Sequence, residues 1–366
     1  MGRGRDDPQL RRRIAGEQRV DRRAGAEQRG TEEQRGREWP SELRHYISPM
    51  RDEGVSTYGP APDAASLAAG SREPLMRGRV CLVTGANRGI GQATALGLAR
   101  LGATVVMLSR DPRRGGAACE EVRRASGNGD VSLVVADLAS LGSVRDAAAD
   151  VAGRYPAVHA LVNNAGVNLA RRTVTPDGIE TTFAVNHLAP FLLTNLLLPA
   201  LRRAAGGGRS ARVVTVTSEF ERFGRIAFDD LQGARRYWGT LAYTQSKLAN
   251  VLFTYELARR VDGTGVTANC VYPGLVATDL LRDRAWWSPR WLRPLWRTLF
   301  LTPEEGARAS VLAASAPELD GLTGRCFDRR GRAVRTSRRS YDASARERLW
   351  RVSAELTGLA ADQRGC

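Results

Sequence analysis

Lysine is almost missing from this chain of 366 residues. Of its 55 basic side chains one is Lys, at position 247, and all the others are Arg. A bias that has put guanidinium everywhere else makes the exception informative, because the two cations differ in shape and in how readily they titrate. Lys247 is therefore a catalytic candidate before any motif is considered. Histidine is scarce too. His45, His159 and His187 form no cluster, and the five cysteines (81, 119, 270, 326 and 366) show no metal-ligand spacing. No metal site is expected, and the cysteines read as free thiols of a reducing compartment. Uninterrupted apolar runs of bilayer-spanning length, about 18 residues, are lacking. So is an apolar segment near the start of the kind a signal peptide carries. A cytoplasmic protein is expected, with a peripheral membrane position as the alternative.

Acidic residues are outnumbered, which leaves a net charge of +16. Residues 1–75 contribute little to it, with 14 Arg against 13 Asp and Glu. An excess of this size suits nucleic acid or an anionic membrane. An Arg-biased, solvated surface without a nucleic-acid partner, around a site that welcomes an anionic cofactor, is the reading adopted. Residues 1–75 also repeat a Glu-Gln-Arg triplet at 17–19, 27–29 and 33–35. Such a stretch buries too little apolar surface to offset chain entropy and is expected to be disordered. Met76 is an alternative start.

From Val80 onward the pattern alternates. Apolar, β-branched runs at 80–84, 103–108, 131–136, 157–162, 212–217 and 266–271 read as strands, with a last short one at 324–327. Helical spacing fills 89–101, 113–126, 140–154, 177–204 and 243–261. Strands alternating with helices predict an α/β fold, a Rossmann-type doubly wound parallel sheet in a single domain. The catalytic domain is expected over 76–340, with a variable segment at 280–302 and a C-terminal helical tail at 341–366.

The chain is organised around Val80–Gly91, VCLVTGANRGIG. Gly85 lets the backbone leave the strand in a tight turn, Gly89 lets it approach a pyrophosphate, and Gly91 lets the helix pack closely. The helix start then offers N–H groups and a positive dipole end to phosphates. A dinucleotide is the ligand this implies. After the second strand an acid usually binds the ribose of NAD. This chain has Ser109 and Arg110 there, with Asp111 one place too late. A guanidinium grips a 2′-phosphate bidentately where a carboxylate repels it, and Arg88 in the glycine turn can add a contact. NADP(H) is expected over NAD(H), with the Arg bias left open as the other explanation of both arginines.

Tyr243 and Lys247 stand four apart in a helical segment and share a face. A nearby ammonium favours phenolate, which lowers the phenol's pKa and makes Tyr243 a general acid/base. Ser218 ends the fifth strand, at the carboxyl edge where ligands bind in such sheets. Its hydroxyl can orient a carbonyl.

With TGANRGIG (84–91), NNAG (163–166), a Ser ahead of the Tyr-Lys pair and Pro273-Gly274, the chain resembles the short-chain dehydrogenase/reductase family. Closer still, it resembles the retinol dehydrogenase-like branch through VNHLAPFLLTNLLLP (185–199), IAFDDLQG (226–233), AYTQSKLANVLFTYELARR (242–260), YPGLVATDL (272–280), TPEEGA (302–307) and RLWRVSAELTGL (348–359). The resemblance implies a catalytic tetrad of Asn186, Ser218, Tyr243 and Lys247, with Asn186 holding a water in a proton relay from Lys to Tyr. It implies a cofactor lined by Gly85, Asn87, Arg88, Gly89, Ile90, Gly91, Ser109, Arg110, Asp137, Leu138, Asn164, Ala165, Gly166, Tyr243, Lys247, Pro273, Gly274, Val276 and Thr278. The reaction implied interconverts a carbonyl and an alcohol.

Residues 285–301, AWWSPRWLRPLWRTLFL, fall where that family keeps its substrate lid. A lid packing aromatics over an apolar pocket and one dipping into a membrane interface both suit them, and both imply a lipophilic substrate. A homo-oligomer is compatible with this reading. The alternatives are a sugar-nucleotide epimerase or dehydratase on a related fold, and a cofactor-sensing regulator without turnover.

Overall fold

A computed structural model of the chain describes residues 74–206, 209–274 and 301–359. The expected disordered extension lies outside them except for its last two residues, as does the expected lid except for residues 301 and 302.

Strands β1 (Val80–Thr84), β2 (Thr104–Ser109), β3 (Val131–Val135), β4 (Ala160–Asn163), β5 (Ala211–Val216), β6 (Val266–Val271), β7 (Cys326–Phe327) and β8 (Ala333–Val334) form one sheet. Its order is β3-β2-β1-β4-β5-β6-β7-β8, parallel throughout except for β8, which runs antiparallel to β7. The central strands are buried along nearly their whole length. They read as continuous apolar runs because helices cover both faces.

Helices α1 (Gly89–Arg100), α2 (Pro112–Ser126), α3 (Leu141–Arg154), α4 (Ala189–Ala204), α5 (Gly239–Arg260), α6 (Pro303–Ser315) and α7 (Ala343–Thr357) make the outer layers. One core joins the sheet to α3, α4, α5 and α7. The other joins it to α1, α2 and α6. The doubly wound parallel sheet is as expected from the alternation of patterns.

Local chemistry explains where the elements differ from expectation. The helix expected from 177 begins at Thr181, because the buried Glu180 carboxylate accepts from Thr182 N at 2.8 Å and Phe183 N at 2.7 Å. Asp177 is spent elsewhere, accepting from Leu141 N at 2.8 Å. A π turn, Ala184–Leu188, then leads into α4. The stretch Thr181–Ala204 is, among the described residues, the one helix long and apolar enough to cross a bilayer, and it lies inside the core. Helix α6 was not anticipated. Its start is a capping box, with Thr302 Oγ1 accepting from Glu305 N at 3.2 Å and the Glu305 carboxylate accepting from Thr302 N at 2.9 Å. Helix α7 runs from the Asp342 cap to Gly358, which takes a φ of 59°. It drives Trp350 into the core against Phe191, ring centroids 4.9 Å apart.

Candidate active site

The glycine turn leaves β1 at Gly85, whose φ of 64° disfavours a side chain. Gly91 is excluded from bearing one by crowding, since a Cβ there would stand 2.5 Å from the Asn164 side-chain nitrogen and press on the Gly85 carbonyl. The Asn163-Asn164-Ala165-Gly166 loop at the end of β4 is thus locked to the turn. Asn164 Nδ2 donates to Thr84 O at 2.8 Å, and Thr84 Oγ1 accepts from Asn164 N and Ala165 N, each at 3.0 Å. Thr84 was not among the expected site residues, and its hydroxyl joins the two loops.

Helix α1 starts at this turn without a side-chain cap and with no acid in its first turn. Helices α2, α3, α6 and α7 by contrast are capped by Asp111, Ser140, Thr302 and Asp342. An uncapped N-terminus beside left-handed glycines is a fit for a phosphate. Asn87, Arg88, Gly89 and Ile90 form the rim of this cradle. Ala86 N donates to Leu108 O at 3.2 Å, which brings the end of β2 alongside. There Ser109 is buried and Arg110 is exposed. Asp111 is occupied, its carboxylate accepting from Arg113 N at 2.9 Å and Arg114 N at 3.1 Å. Beyond β3, Asp137 Oδ1 accepts from Ala139 N at 3.0 Å and Leu138 is buried in the core.

Ser218 follows β5, and Tyr243 and Lys247 rise from the second and third turns of α5. Ser218 stands beside Tyr243, near enough for its hydroxyl to favour the phenolate. Lys247 is buried, with Nζ 5.6 Å from the centroid of the Tyr243 ring. Thr217 Oγ1 donates to Lys247 O at 2.8 Å, so strand end and helix are fastened beside the pair. Asn186 and Gly166 close the group. A methyl on Gly166 would stand 3.4 Å from Asn186 Oδ1 and 3.6 Å from Lys247 Nζ.

Asn186 sits in the π turn that leads into α4. Its side chain is taken up by protein, with Oδ1 accepting from Val167 N at 2.7 Å and Nδ2 donating to Val167 O and Ser246 Oγ, each at 2.9 Å.

Electrostatics departs from expectation. Tyr243 keeps some exposed surface, yet protein crowds its phenol, and that desolvation pushes its pKa up to about 12 while the Ser218 hydroxyl acts the other way. The expected lowering by the ammonium is not the leading effect. Burial also pulls Lys247 down to about 8. Desolvation disfavours the charged form of each group.

Pro273 and Gly274 follow β6, Gly274 with a φ of 80°. Val276 and Thr278 lie outside the described residues, as do residues 285–300.

A family model described as short chain dehydrogenase matches residues 79–288. Human retinol dehydrogenase 14 is 40% identical over 315 residues, which cover 81% of this chain and 92% of that protein. Mouse polyprenol dehydrogenase is 44% identical over 289 residues, covering 78% and 85%. Among solved structures, the Pseudomonas aeruginosa RhlG/NADP active-site complex superposes with a TM-score of 0.57 at 28% identity, covering 70% of this chain and 97% of that one. The strand order, the glycine turn and these similarities agree: this chain belongs to the short-chain dehydrogenase/reductase family of nicotinamide-dependent oxidoreductases, in its retinol dehydrogenase-like branch.

Proposed function

We propose that this protein is an NADP(H)-dependent oxidoreductase that interconverts a carbonyl and an alcohol on a lipophilic substrate, with Tyr243 as general acid/base. The observation that carries the reading is the buried Lys247, its Nζ 5.6 Å from the centroid of the Tyr243 ring, with Ser218 beside that tyrosine at the end of β5. A bound nicotinamide dinucleotide supplies the hydride for reduction or accepts it in oxidation.

Ser218 and Tyr243 hold the substrate oxygen between two hydroxyls. As negative charge develops there, the Tyr243 phenol gives up its proton to it. The cost of the resulting phenolate in a desolvated site is met by the Lys247 ammonium. At neutral pH that amine, with a pKa of about 8, is mostly protonated. Its proton passes toward Tyr243 through a water held at Asn186. In the oxidising direction the same groups move the proton the other way.

Preference for NADP(H) is supported by the exposed Arg110 and Arg88 beside the cradle and by Asp111 being spent on a helix cap. RhlG, a neighbour in fold, is solved with NADP. A lipophilic substrate is supported by the names of the relatives, which act on retinol and polyprenol. It is also supported by four of the six large apolar side chains exposed among the described residues: Phe220, Phe223, Trp238 and Leu241. They lie on the segments that carry Ser218 and Tyr243, and large apolar groups exposed beside a site suit an apolar ligand.

The test is NADPH oxidation, followed by loss of nicotinamide absorbance, with retinal, a long-chain fatty aldehyde and a steroid ketone as probes. Tyr243→Phe should bind NADPH as the wild type does and lose turnover by about a thousand-fold, the range of a removed general acid. Turnover that survives this change would sink the mechanism. Tight NADPH binding with no turnover on any probe would favour a sensor.

A further inference from the structure

Glu221 stands three residues beyond Ser218, in the 3-10 turn Glu219–Phe223, and is fully buried. The mechanism above makes no use of it. A carboxylate withdrawn from water is costly unless its oxygens accept hydrogen bonds, and here both do, from neutral donors. Tyr272 OH donates to Oε1 at 2.9 Å, Ser337 N donates to Oε1 at 2.8 Å, and Ser337 Oγ donates to Oε2 at 2.6 Å.

These donors come from different parts of the chain. Tyr272 is the residue before Pro273-Gly274, beyond β6. Ser337 belongs to the segment after β8, which grips the same turn twice more. Arg222 Nη2 donates to Arg335 O at 2.6 Å, and Arg339 Nη1 donates to Gly224 O at 2.9 Å. The turn itself is closed by Glu221 N on Ser218 O at 2.9 Å.

The sheet cannot do this work. The β5–β6 register ends at Val216 opposite Val271, and Thr217 N on Val271 O, at 3.0 Å, continues it by one bond. Past that point, among the described residues, no ladder bond sets how far the Ser218 turn stands from the Pro273-Gly274 turn. We propose that Glu221 is a positioning residue whose carboxylate clasps Tyr272 and Ser337 and so sets the spacing between Ser218 and the Pro273-Gly274 turn. The inference rests on the role proposed for Ser218. A side chain with two acceptor oxygens suits the task, because it meets donors from two segments at once.

Three variants of the full chain test this: Glu221→Ala, Glu221→Gln and Tyr272→Phe. Glutamine keeps Oε1 for Tyr272 OH and Ser337 N, and its amide can donate to Ser337 Oγ, so it is the rescuing variant. With NADPH and a probe aldehyde that the wild type reduces, Glu221→Ala should lose about 10- to 100-fold in kcat, the effect of misplacing a group by about an ångström. KM and the NADPH dissociation constant should stay within about 3-fold, and Glu221→Gln should recover most of kcat. Amide hydrogen exchange should speed up in 218–224 and in 271–274 together, with 80–91 unchanged. Unaltered kcat with only a lower Tm would overturn the proposal, as would an alanine-like kcat in Glu221→Gln or faster exchange confined to 218–224. Tyr272→Phe removes a single hydroxyl and carries the same expectations if Glu221→Ala does not fold. The exchange measurement needs no turnover, so it decides the clasp even where the proposed activity fails.

Discussion

Lys247 Nζ donates to the carbonyl oxygen of Val216 across 3.1 Å. The lysine is buried in α5 and the carbonyl ends β5, so the bond holds the amine at the sheet's carboxyl edge, two residues before Ser218. It also fixes the cost of the arrangement. An ammonium in that place has exchanged water for a neutral dipole, and burial is what lowers its pKa.

That cost makes the first prediction. Lys247 has a folded pKa of about 8 against an ordinary 10.5. Between those values the unfolded chain holds a proton that the folded chain lacks, so stability rises with pH across that window and is lowest below about pH 8. At about 1.4 kcal/mol per unit, the penalty at pH 7 is about 3 kcal/mol. Lys247→Met should therefore stabilise the cofactor-free protein at pH 7 by about 2 kcal/mol, once about 1 kcal/mol for the lost hydrogen bond is allowed for. It should abolish turnover as well. Thermal melts from pH 7 to 10.5 check both the sign and the flattened pH dependence.

His187, next to Asn186, gives the opposite end of the pH scale. It is fully buried among Phe183, Phe191 and Phe253, with Nε2 2.8 Å from Ser353 Oγ of α7. Burial pulls its pKa down to about 3. Its stabilising share is full above the unfolded value near 6.5 and is lost as pH falls toward 3, at about 1.4 kcal/mol per unit. Urea unfolding at pH 7.5 and pH 4.5 should show a smaller acid loss in His187→Leu than in the wild type. Equal losses would show that other groups govern the acid limb.

Arg110 carries a prediction on cofactor choice. If its guanidinium holds a 2′-phosphate, Arg110→Ala should weaken NADPH by roughly 10- to 100-fold, the range of one charged hydrogen-bonded contact. NADH binding should hardly move. Fluorescence titrations with both cofactors measure the ratio, and a parallel loss for both would remove Arg110 from the specificity argument.

Gly91→Ala tests the lock between the glycine turn and the loop after β4. The added Cβ meets the Gly85 carbonyl and the Asn164 amide, which are backbone and a hydrogen-bonded side chain with little room to move. NADPH affinity should fall by more than about 10-fold and Tm should drop, since overpacking of this kind costs about 1–3 kcal/mol. Unchanged affinity would mean that the cradle tolerates the shift.

Some of this molecule was readable along the chain. The strands from Val80 to Val271 are dense apolar runs, because a parallel sheet is covered on both faces. The glycine spacing at 85, 89 and 91, the lone lysine and its tyrosine one turn earlier are local patterns, each with a local cause. Helix α6 has a local signature as well, since Thr302-Pro303-Glu304-Glu305 carries the capping box that starts it.

What the sequence by itself determined, then, is the order of strands and helices and the residue types offered at the sheet's carboxyl edge, because periodicity and turn chemistry act within a few residues. Only the tertiary structure decided how those residues are used. The Asn186 side chain is engaged by Val167 and Ser246, burial raises the pKa of the Tyr243 phenol, and Glu221 reaches Tyr272 and Ser337 across 51 and 116 positions. Desolvation and long-range hydrogen bonds depend on which surfaces meet, and no local pattern records that.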